Sequence, residues 1–372
     1  MGPGRGSTGT AISERQKVEA RIVTSPRDNI RAVHYGLGPV GVEVVRLVLE
    51  RAYIDSVAAI DPARAGRDLG EVAGIDRRLG SIVAYEAQPV LTGVAAEVVL
   101  HTGQASLASA YPEIAQAVTA GKNVISDCAE LVFPWFRHPE ISRRLDRLAR
   151  EAGVAVLGTG VGSGFVMDSL PLLLATASSQ PKAVSVKRVS DITAQALELR
   201  GSAGIGLNLE GFRQVFGGRN AGLPGLRESL LMIAHSLSWR LDDISETLEP
   251  ILARQRLRTD YFLIEKGYVR GRRHVISGVA GGRSIIRLEL EISIGADDPH
   301  DEIVIEGEPP IRLSIAGGLQ GDVAIAAIMV NCIPAVVRSG VSGLLSMRDL
   351  PIAPYRDRGV PTRTEGSERP SA

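Results

Sequence analysis

One short run, GLGPVG from Gly36 to Gly41, constrains this 372-residue chain more than any other feature. It follows Ala32 to Tyr35, which reads as a short buried strand. It precedes a helix reaching about Arg51 whose apolar positions are Val42, Val45, Leu47, Val48 and Leu49. Glycines spaced GxGxxG at such a junction allow a tight turn, let backbone approach a pyrophosphate, and permit close helix–strand packing. The free N–H groups opening the helix would then face the phosphates. A second strand, Ile54 to Ile60, ends at Asp61, twenty residues after Gly41, where ribose hydroxyls would lie. The expected nucleotide contacts are therefore Gly36, Gly38, Pro39, Val40, Gly41 and Asp61. Asp61 favours NAD, because a carboxylate repels a 2′-phosphate. Arg64 and Arg67 follow closely and could receive that phosphate, so the expectation is NAD or NADP with NAD ahead.

Strand and helix candidates keep alternating beyond this unit. Ser81 to Tyr85, Ala96 to His101, Asn123 to Ser126 and Val154 to Leu157 read as strands, and Leu107 to Ala120 and Pro139 to Ala152 as helices. After Gly164 the texture changes to helices over Val166 to Thr176 and Arg227 to Leu241, with long alternating runs such as Ala183 to Ile192 and Ser284 to Ile294. Asp322 to Val337 is apolar almost all round and is expected to pack back on the first unit. The predicted fold class is α/β: a Rossmann doubly wound parallel sheet with an inserted α+β domain on a mostly antiparallel open sheet. The predicted division is a disordered extension over 1–25, a nucleotide-binding domain over 26–160 and a substrate and dimerisation domain over 161–319. A C-terminal helix returns to the Rossmann domain over 320–355, and a disordered tail covers 356–372.

Composition narrows the partners. The chain has 42 Lys+Arg against 42 Asp+Glu, which argues against a basic nucleic-acid binder. The longest apolar stretch, Val323 to Val337, is short for a membrane span and holds Asn331 and Pro334. Two distant cysteines, Cys128 and Cys332, offer neither a disulfide framework nor a metal knuckle and favour a reducing cytoplasm. The six histidines show no HxxxH or HExxH spacing, so no metal is expected. An open sheet face in the second domain calls for cover, which predicts a homodimer.

Two further segments reach the carboxyl edge of the predicted sheet. GTGVGSGF, Gly158 to Phe165, places four glycines in eight residues, as in a loop pressed against a ligand or an interdomain hinge. SDCAELVFPW, Ser126 to Trp135, brings Asp127, Cys128 and Glu130 to the same edge. Glu130 beside Leu131, Val132, Phe133 and Trp135 could have a raised pKa and exchange protons with a substrate, or be an ordinary helix-start charge. The cofactor contacts expected along this edge are His101, Thr102, Ser126, Cys128, Gly160 and Gly162, with Asn331 on the last helix. Phe133, Trp135 and Phe165 are expected to line the substrate, a small and largely aliphatic amine or carbonyl.

These segments together resemble a known family. The glycine turn, IDPARAGRDLGEVAG, VLHTGQAS, NVISDCAEL, GTGVGSGFVMDSLP, IAGGLQGDVAIAAIMVNCIPAVV and GLLSMRDLP look like 2,4-diaminopentanoate dehydrogenase and the related native amine dehydrogenases, over roughly residues 30 to 352. The resemblance implies the two-domain architecture of dihydrodipicolinate reductase. It also implies NAD(P)-dependent oxidative deamination of an amine to a carbonyl and ammonia, with the reverse reductive amination. Its active-site acid lies in a segment resembling CEEL, and CAEL here keeps the second acid as Glu130. Ala129 replaces the first acid, and Gly162-Ser163 stand where Asn-Pro is expected. Two alternatives stay open: a carbonyl or cyclic-imine reductase of the same group, and a nucleotide-binding protein without catalysis. The lysine-pathway reductase itself is disfavoured, since its His-rich motif with a following Lys has no counterpart.

Overall fold

A computed structural model describes residues 29–194, 197, 199–217, 222–319, 321–352 and 354. The predicted disordered extension and tail lie outside these residues. The first layer is a six-stranded, all-parallel sheet built from β1 (Ile30–Tyr35), β2 (Ile54–Ile60), β3 (Val98–His101), β4 (Asn123–Ser126), β5 (Ala155–Gly158) and β14 (Gly343–Leu345). Its order is β14-β5-β4-β3-β1-β2, so the winding reverses between β1 and β3. Ligands of such sheets bind at the carboxyl edge, at this reversal. Val, Ile and Leu dominate these strands because both faces are covered. Helices α4 (Leu107–Thr119) and α5 (Pro139–Ala152) bury one face through Val99, Ile114, Val124, Leu145 and Val156. Helices α1 (Pro39–Leu49) and α10 (Gly321–Arg338) bury the other through Val44, Val48, Ile125, Met329 and Ile333.

Among the described residues, α10 is long and apolar enough to cross a membrane. Here it packs against the parallel sheet and α1, as its composition predicts. Two details differ from expectation. Ser81 to Tyr85 is not a strand of the sheet; it forms only the isolated bridges Ile60↔Ala84 and Asp68↔Ile82. The Asp68 carboxylate accepts from the Gly70, Leu79 and Gly80 N–H groups and so shapes the preceding loop, which leaves little extended chain to pair. The sixth strand is instead the three-residue β14, which follows α10, and the Leu344 N–H donates to Asp146 of α5 (2.9 Å).

The second domain holds β6 (Ala183–Asp191), β7 (Asp243–Leu252), β10 (Val269–Ala280), β11 (Arg283–Ser293), β12 (His300–Glu306) and β13 (Ile311–Ala316), in the order β13-β12-β6-β11-β10-β7. Only β6 and β11 pair in parallel, so the sheet is mostly antiparallel. A separate pair, β8 (Leu257–Arg258) with β9 (Leu263–Ile264), lies beside it, as do two short helices, α7 (Arg200–Ala203) and α8 (Leu209–Phe216). Helices α6 (Ser169–Ala175) and α9 (Leu226–Ser236) cover one face through Leu230, Ile233, Ile276, Leu288 and Ile303. Charged side chains pair on the sheet elsewhere: Glu289 with Lys187 and Arg273 on the adjacent strands and with Arg287 on its own strand, and Glu302 with Arg312. The three cations hold the Glu289 carboxyl below its ordinary range against the opposing effect of its burial. The face away from α6 and α9 is therefore polar and internally paired, and it does not by itself demand an apolar partner.

Candidate active site

At the reversal of the sheet, Gly36 has φ +92° and sits so close to β3 that an added Cβ would overlap the Thr102 carbonyl oxygen. A Cβ on Gly41 would overlap the Gly36 carbonyl oxygen, so these two glycines are needed for the turn and the helix approach. A Cβ on Gly38 would meet nothing within 4 Å, which leaves its backbone open to a ligand. The Thr102 hydroxyl donates to the Gly36 carbonyl (2.8 Å) and clasps the turn from β3. Pro39 opens α1, where its missing N–H costs nothing. Asp61 accepts from the Leu37 N–H (2.7 Å) and the Ala63 N–H (2.8 Å), one per carboxylate oxygen. Each oxygen keeps lone-pair capacity for a hydroxyl. Arg64 lines a cavity of about 400 Å³ with Pro39, Glu43 and Asp322, whereas Arg67 is held by Glu71 (2.8 Å). Tyr85, 67% exposed just past the Ala84 bridge, stands at the same edge and was not singled out from sequence.

Three expected contacts prove to be internal. The His101 ring is fully buried between the Ser126 hydroxyl (2.8 Å) and Glu113 (2.8 Å), so both nitrogens are engaged. The Ser126 hydroxyl also accepts from the Cys128 N–H (3.1 Å). The Cys128 thiol faces the Ala105 carbonyl, and burial pushes its pKa up to about 12, so it is not a nucleophile. These side chains brace the edge; only their backbones can meet a cofactor. Phe133 is likewise a core residue, packed edge-on against Trp135 and capped by the Arg348 guanidinium, and it does not line a substrate cavity. Trp135 is half-buried beside it.

Glu130 sits in a single 3-10 turn directly after β4. Leu131, Val132 and Phe133 turn into the core, so the carboxylate does not have the apolar setting expected of it. It meets polar groups. The Leu107 N–H at the start of α4 donates to Oε2 (2.9 Å), and His138 Nε2 stands 3.2 Å from the same oxygen. Arg137 Nη1 lies 3.7 Å from Glu130 Oε1 and 3.0 Å from Oε1 of Glu228, at the start of α9. Glu130 remains 13% exposed, while Glu228 is fully buried. Arg137 and His138 follow Glu130 closely in sequence and could have been read with it. Glu228 carried no such signal, because a glutamate in a first helical turn is commonplace.

The GTGVGSGF segment is a tightly folded turn, not a loose hinge. Ser163 is extended and Gly164 has φ +98°, so the regular helix begins only at Ser169. The buried Asp168 carboxylate accepts from the Gly164 N–H (2.7 Å) and from the Ser229 hydroxyl of α9 (2.6 Å), which ties the turn to the second domain. Burial raises the Asp168 pKa. Gly160 and Gly162 lie in this turn, with nothing within 4 Å of a Cβ placed on Gly162. Phe165 borders a mostly apolar cavity of about 360 Å³ with Leu172, Asn331, Met347 and Ile352. The buried polar atoms that lack a hydrogen-bond partner among the described residues include Oδ1 of Asn331 and, in this turn, Oγ1 of Thr159. With the open Gly38 backbone, these orphaned atoms fit a bound dinucleotide.

Asp127 supplies a pH-dependent signature. Burial pushes its pKa from 3.8 to about 6, with Asp322 adding to the rise and His101 and the Gly103 N–H opposing it. A carboxyl group raised in the folded state costs stability once ionised. That cost is absent below the unfolded value of 3.8, builds as pH rises from there to about 6, and is fully present above it. Asp127→Asn is therefore expected to raise Tm at pH 7–8, by the equivalent of about 1–3 kcal/mol, with no gain at pH 4. Thermal melts across that range check it; an equal gain at both pH values would refute the assignment.

The second domain matches the family model of the 2,4-diaminopentanoate dehydrogenase C-terminal domain over residues 165–357, more than half of the chain. The chain is 27% identical over 333 residues to 2,4-diaminopentanoate dehydrogenase of Acetoanaerobium sticklandii, covering 87% of this chain and 94% of the relative. It is 25% identical over 362 residues to an amine dehydrogenase of Streptomyces virginiae, covering 87% and 97%. Among solved structures, amine dehydrogenase from Mycobacterium smegmatis superposes with a TM-score of 0.80 at 24% identity, over 89% of this chain and 98% of that one. GenD2 from gentamicin A biosynthesis, solved in complex with NAD, gives 0.53 at 15% identity, over 88% and 91%. With its Rossmann sheet, inserted mixed sheet and matching second domain, the chain belongs to the 2,4-diaminopentanoate dehydrogenase family.

Proposed function

We propose that this protein is an NAD(P)-dependent amine dehydrogenase, oxidising an amine to a carbonyl and ammonia and running the reverse reductive amination. One observation carries the reading: a partly exposed carboxylate, Glu130, stands at the carboxyl edge of the parallel sheet that also presents the glycine turn. Bound NAD(P) would accept or donate the hydride. Gly36, Gly38, Pro39, Val40 and Gly41 would hold its diphosphate, Asp61 its ribose, and Asn331 with the Gly160–Gly162 backbone its nicotinamide end. Asp61 supports NAD, and Arg64, without a carboxylate partner among the described residues, supports NADP.

Aliphatic amines arrive as ammonium ions, and the nitrogen must be neutral before hydride leaves its α-carbon. Glu130 accepts that proton. Glu130, which is partly exposed, passes that proton to water, so that after hydride transfer its ionised carboxylate stands beside the substrate iminium ion and stabilises it. Glu130 then orients the water that adds to this carbon, and ammonia leaves as the carbonyl forms. The apolar cavity beside Phe165 favours a small, largely aliphatic substrate. We place the enzyme in the cytoplasm, in line with two free, buried cysteines. An amine panel with each of NAD and NADP tests the reading by absorbance at the reduced nicotinamide. Turnover with at least one pair is expected. Reduction of ketones with the rate unchanged by ammonia would point instead to a carbonyl reductase. Nucleotide-dependent stabilisation with no turnover at all would leave a non-catalytic binder.

A further inference from the structure

The Glu130 carboxylate shares its guanidinium with a second acid. Glu228 is fully buried, its Oε1 receives Arg137 Nη1 at 3.0 Å, and its Oε2 has no hydrogen-bond partner among the described residues. The same Nη1 lies 3.7 Å from Glu130, beyond hydrogen-bond reach. The approach of α9 depends on small neighbours: a Cβ placed on Gly225 would be 2.9 Å from Ala129 Cβ and 2.5 Å from Ser163 Oγ. Glu228 follows one turn later on α9, at Arg137.

We propose that Glu228 is a positioning residue that draws Arg137 away from Glu130 and so keeps the Glu130 carboxylate available to accept a proton. The proposal rests on Glu130 being the base of the amine dehydrogenase reading. An undivided guanidinium against Glu130 would favour its ionised form and weaken it as a proton acceptor. Held by Glu228, Arg137 still offers attraction without direct hydrogen bonding. Other charged groups nearby are accounted for. His138 stands at the other Glu130 oxygen, Asp127 lies on the same loop, and Arg227 beside Glu228 is taken by Glu246, which also holds His274. Burial pushes the Glu228 pKa up while Arg137 opposes the rise.

The test is a carbon-13 carboxyl NMR titration of the full chain, with the Glu130 signal identified by its loss in Glu130→Gln. In Glu228→Gln, Arg137 is released toward Glu130, and the Glu130 midpoint is expected to fall by about one pH unit, a tenfold loss of proton affinity. The acid limb of the kcat/KM profile for the amine should move down with it, kcat should fall, and NAD(P) affinity should hold. Glu228→Asp should restore part of the shift. In Arg137→Met the Glu130 midpoint should rise, which keeps the proposal decidable if Glu228→Gln fails to fold. An unmoved Glu130 midpoint in a folded Glu228→Gln or Arg137→Met protein would overturn it. Absence of amine turnover by the wild-type protein would defeat the amine dehydrogenase reading, yet the midpoints would still decide whether Glu228 governs Glu130.

Discussion

Glu130→Gln is expected to lower amine-dependent NAD(P)H formation by a hundredfold to ten-thousandfold, the range for loss of a positioned general base. The substitution is nearly isosteric. The amide oxygen it introduces can still accept from the Leu107 N–H that Glu130 now engages at 2.9 Å, so the start of α4 keeps its cap. Tm should change little, and NAD(P) should bind as before, because the turn at Gly36, the Asp61 clasp and the Thr102 bond lie elsewhere on the edge. What disappears is the group proposed to take a proton from the substrate nitrogen. Arg137 cannot replace it, since its guanidinium stays protonated. His138, 3.2 Å from the same carboxylate oxygen, is the neighbour able to act in its place. Activity surviving within a few-fold would therefore mean that Glu130 is not the base, and Glu130→Gln/His138→Ala would show whether His138 is.

The second large effect concerns the cofactor turn. Gly36→Ala places a methyl group onto the Thr102 carbonyl oxygen and asks an L-residue to hold φ +92°. Neither strand can yield cheaply: β1 lies between β2 and β3 in the sheet, and the Thr102 N–H is bonded to the Tyr35 carbonyl. The variant is expected to lose about 3 kcal/mol or more of stability, among the larger single-site effects. The stabilisation that NAD(P) gives the wild-type protein should vanish as well. Gly38→Ala provides the contrast. A Cβ there meets no protein atom within 4 Å, so Tm without nucleotide should be nearly unchanged while nucleotide affinity falls. Equal stability losses in the two variants would contradict the assignment of Gly38 to ligand contact.

How much of this was legible in the chain depends on the range of the interaction. The strand–turn–helix unit could be read because every part of it lies within about thirty residues and follows local rules of periodicity and glycine spacing. Helix α5, Pro139–Ala152, matched its predicted span, since Pro opens it and Gly153 in the left-handed region closes it. Strand β14 escaped because three residues are too few to show alternation, and its partner β5 lies far away in sequence. His101, Ser126 and Cys128 were expected to face the cofactor because they end strands at the correct edge. Their side chains nevertheless point inward, toward Glu113 and Ala105 on neighbouring segments. The position of Glu130 at the carboxyl edge is legible from its place after a strand, but its surroundings are not. The approach of Arg137 and Glu228 is a contact between residues 91 positions apart, created when α9 docks against the first domain.

The central claim, that nitrogen is exchanged at a substrate carbon with hydride transfer through this site, is tested most directly by isotope incorporation. Wild-type protein would be incubated with a small aliphatic ketone, NADH or NADPH, and nitrogen-15 ammonium, and the product analysed by mass spectrometry. The expected result is nitrogen-15 amine formed in equal amount to the reduced nicotinamide consumed, and none from Glu130→Gln on the same timescale. Consumption of reduced nicotinamide yielding the alcohol, with no nitrogen-15 in any product, would contradict it.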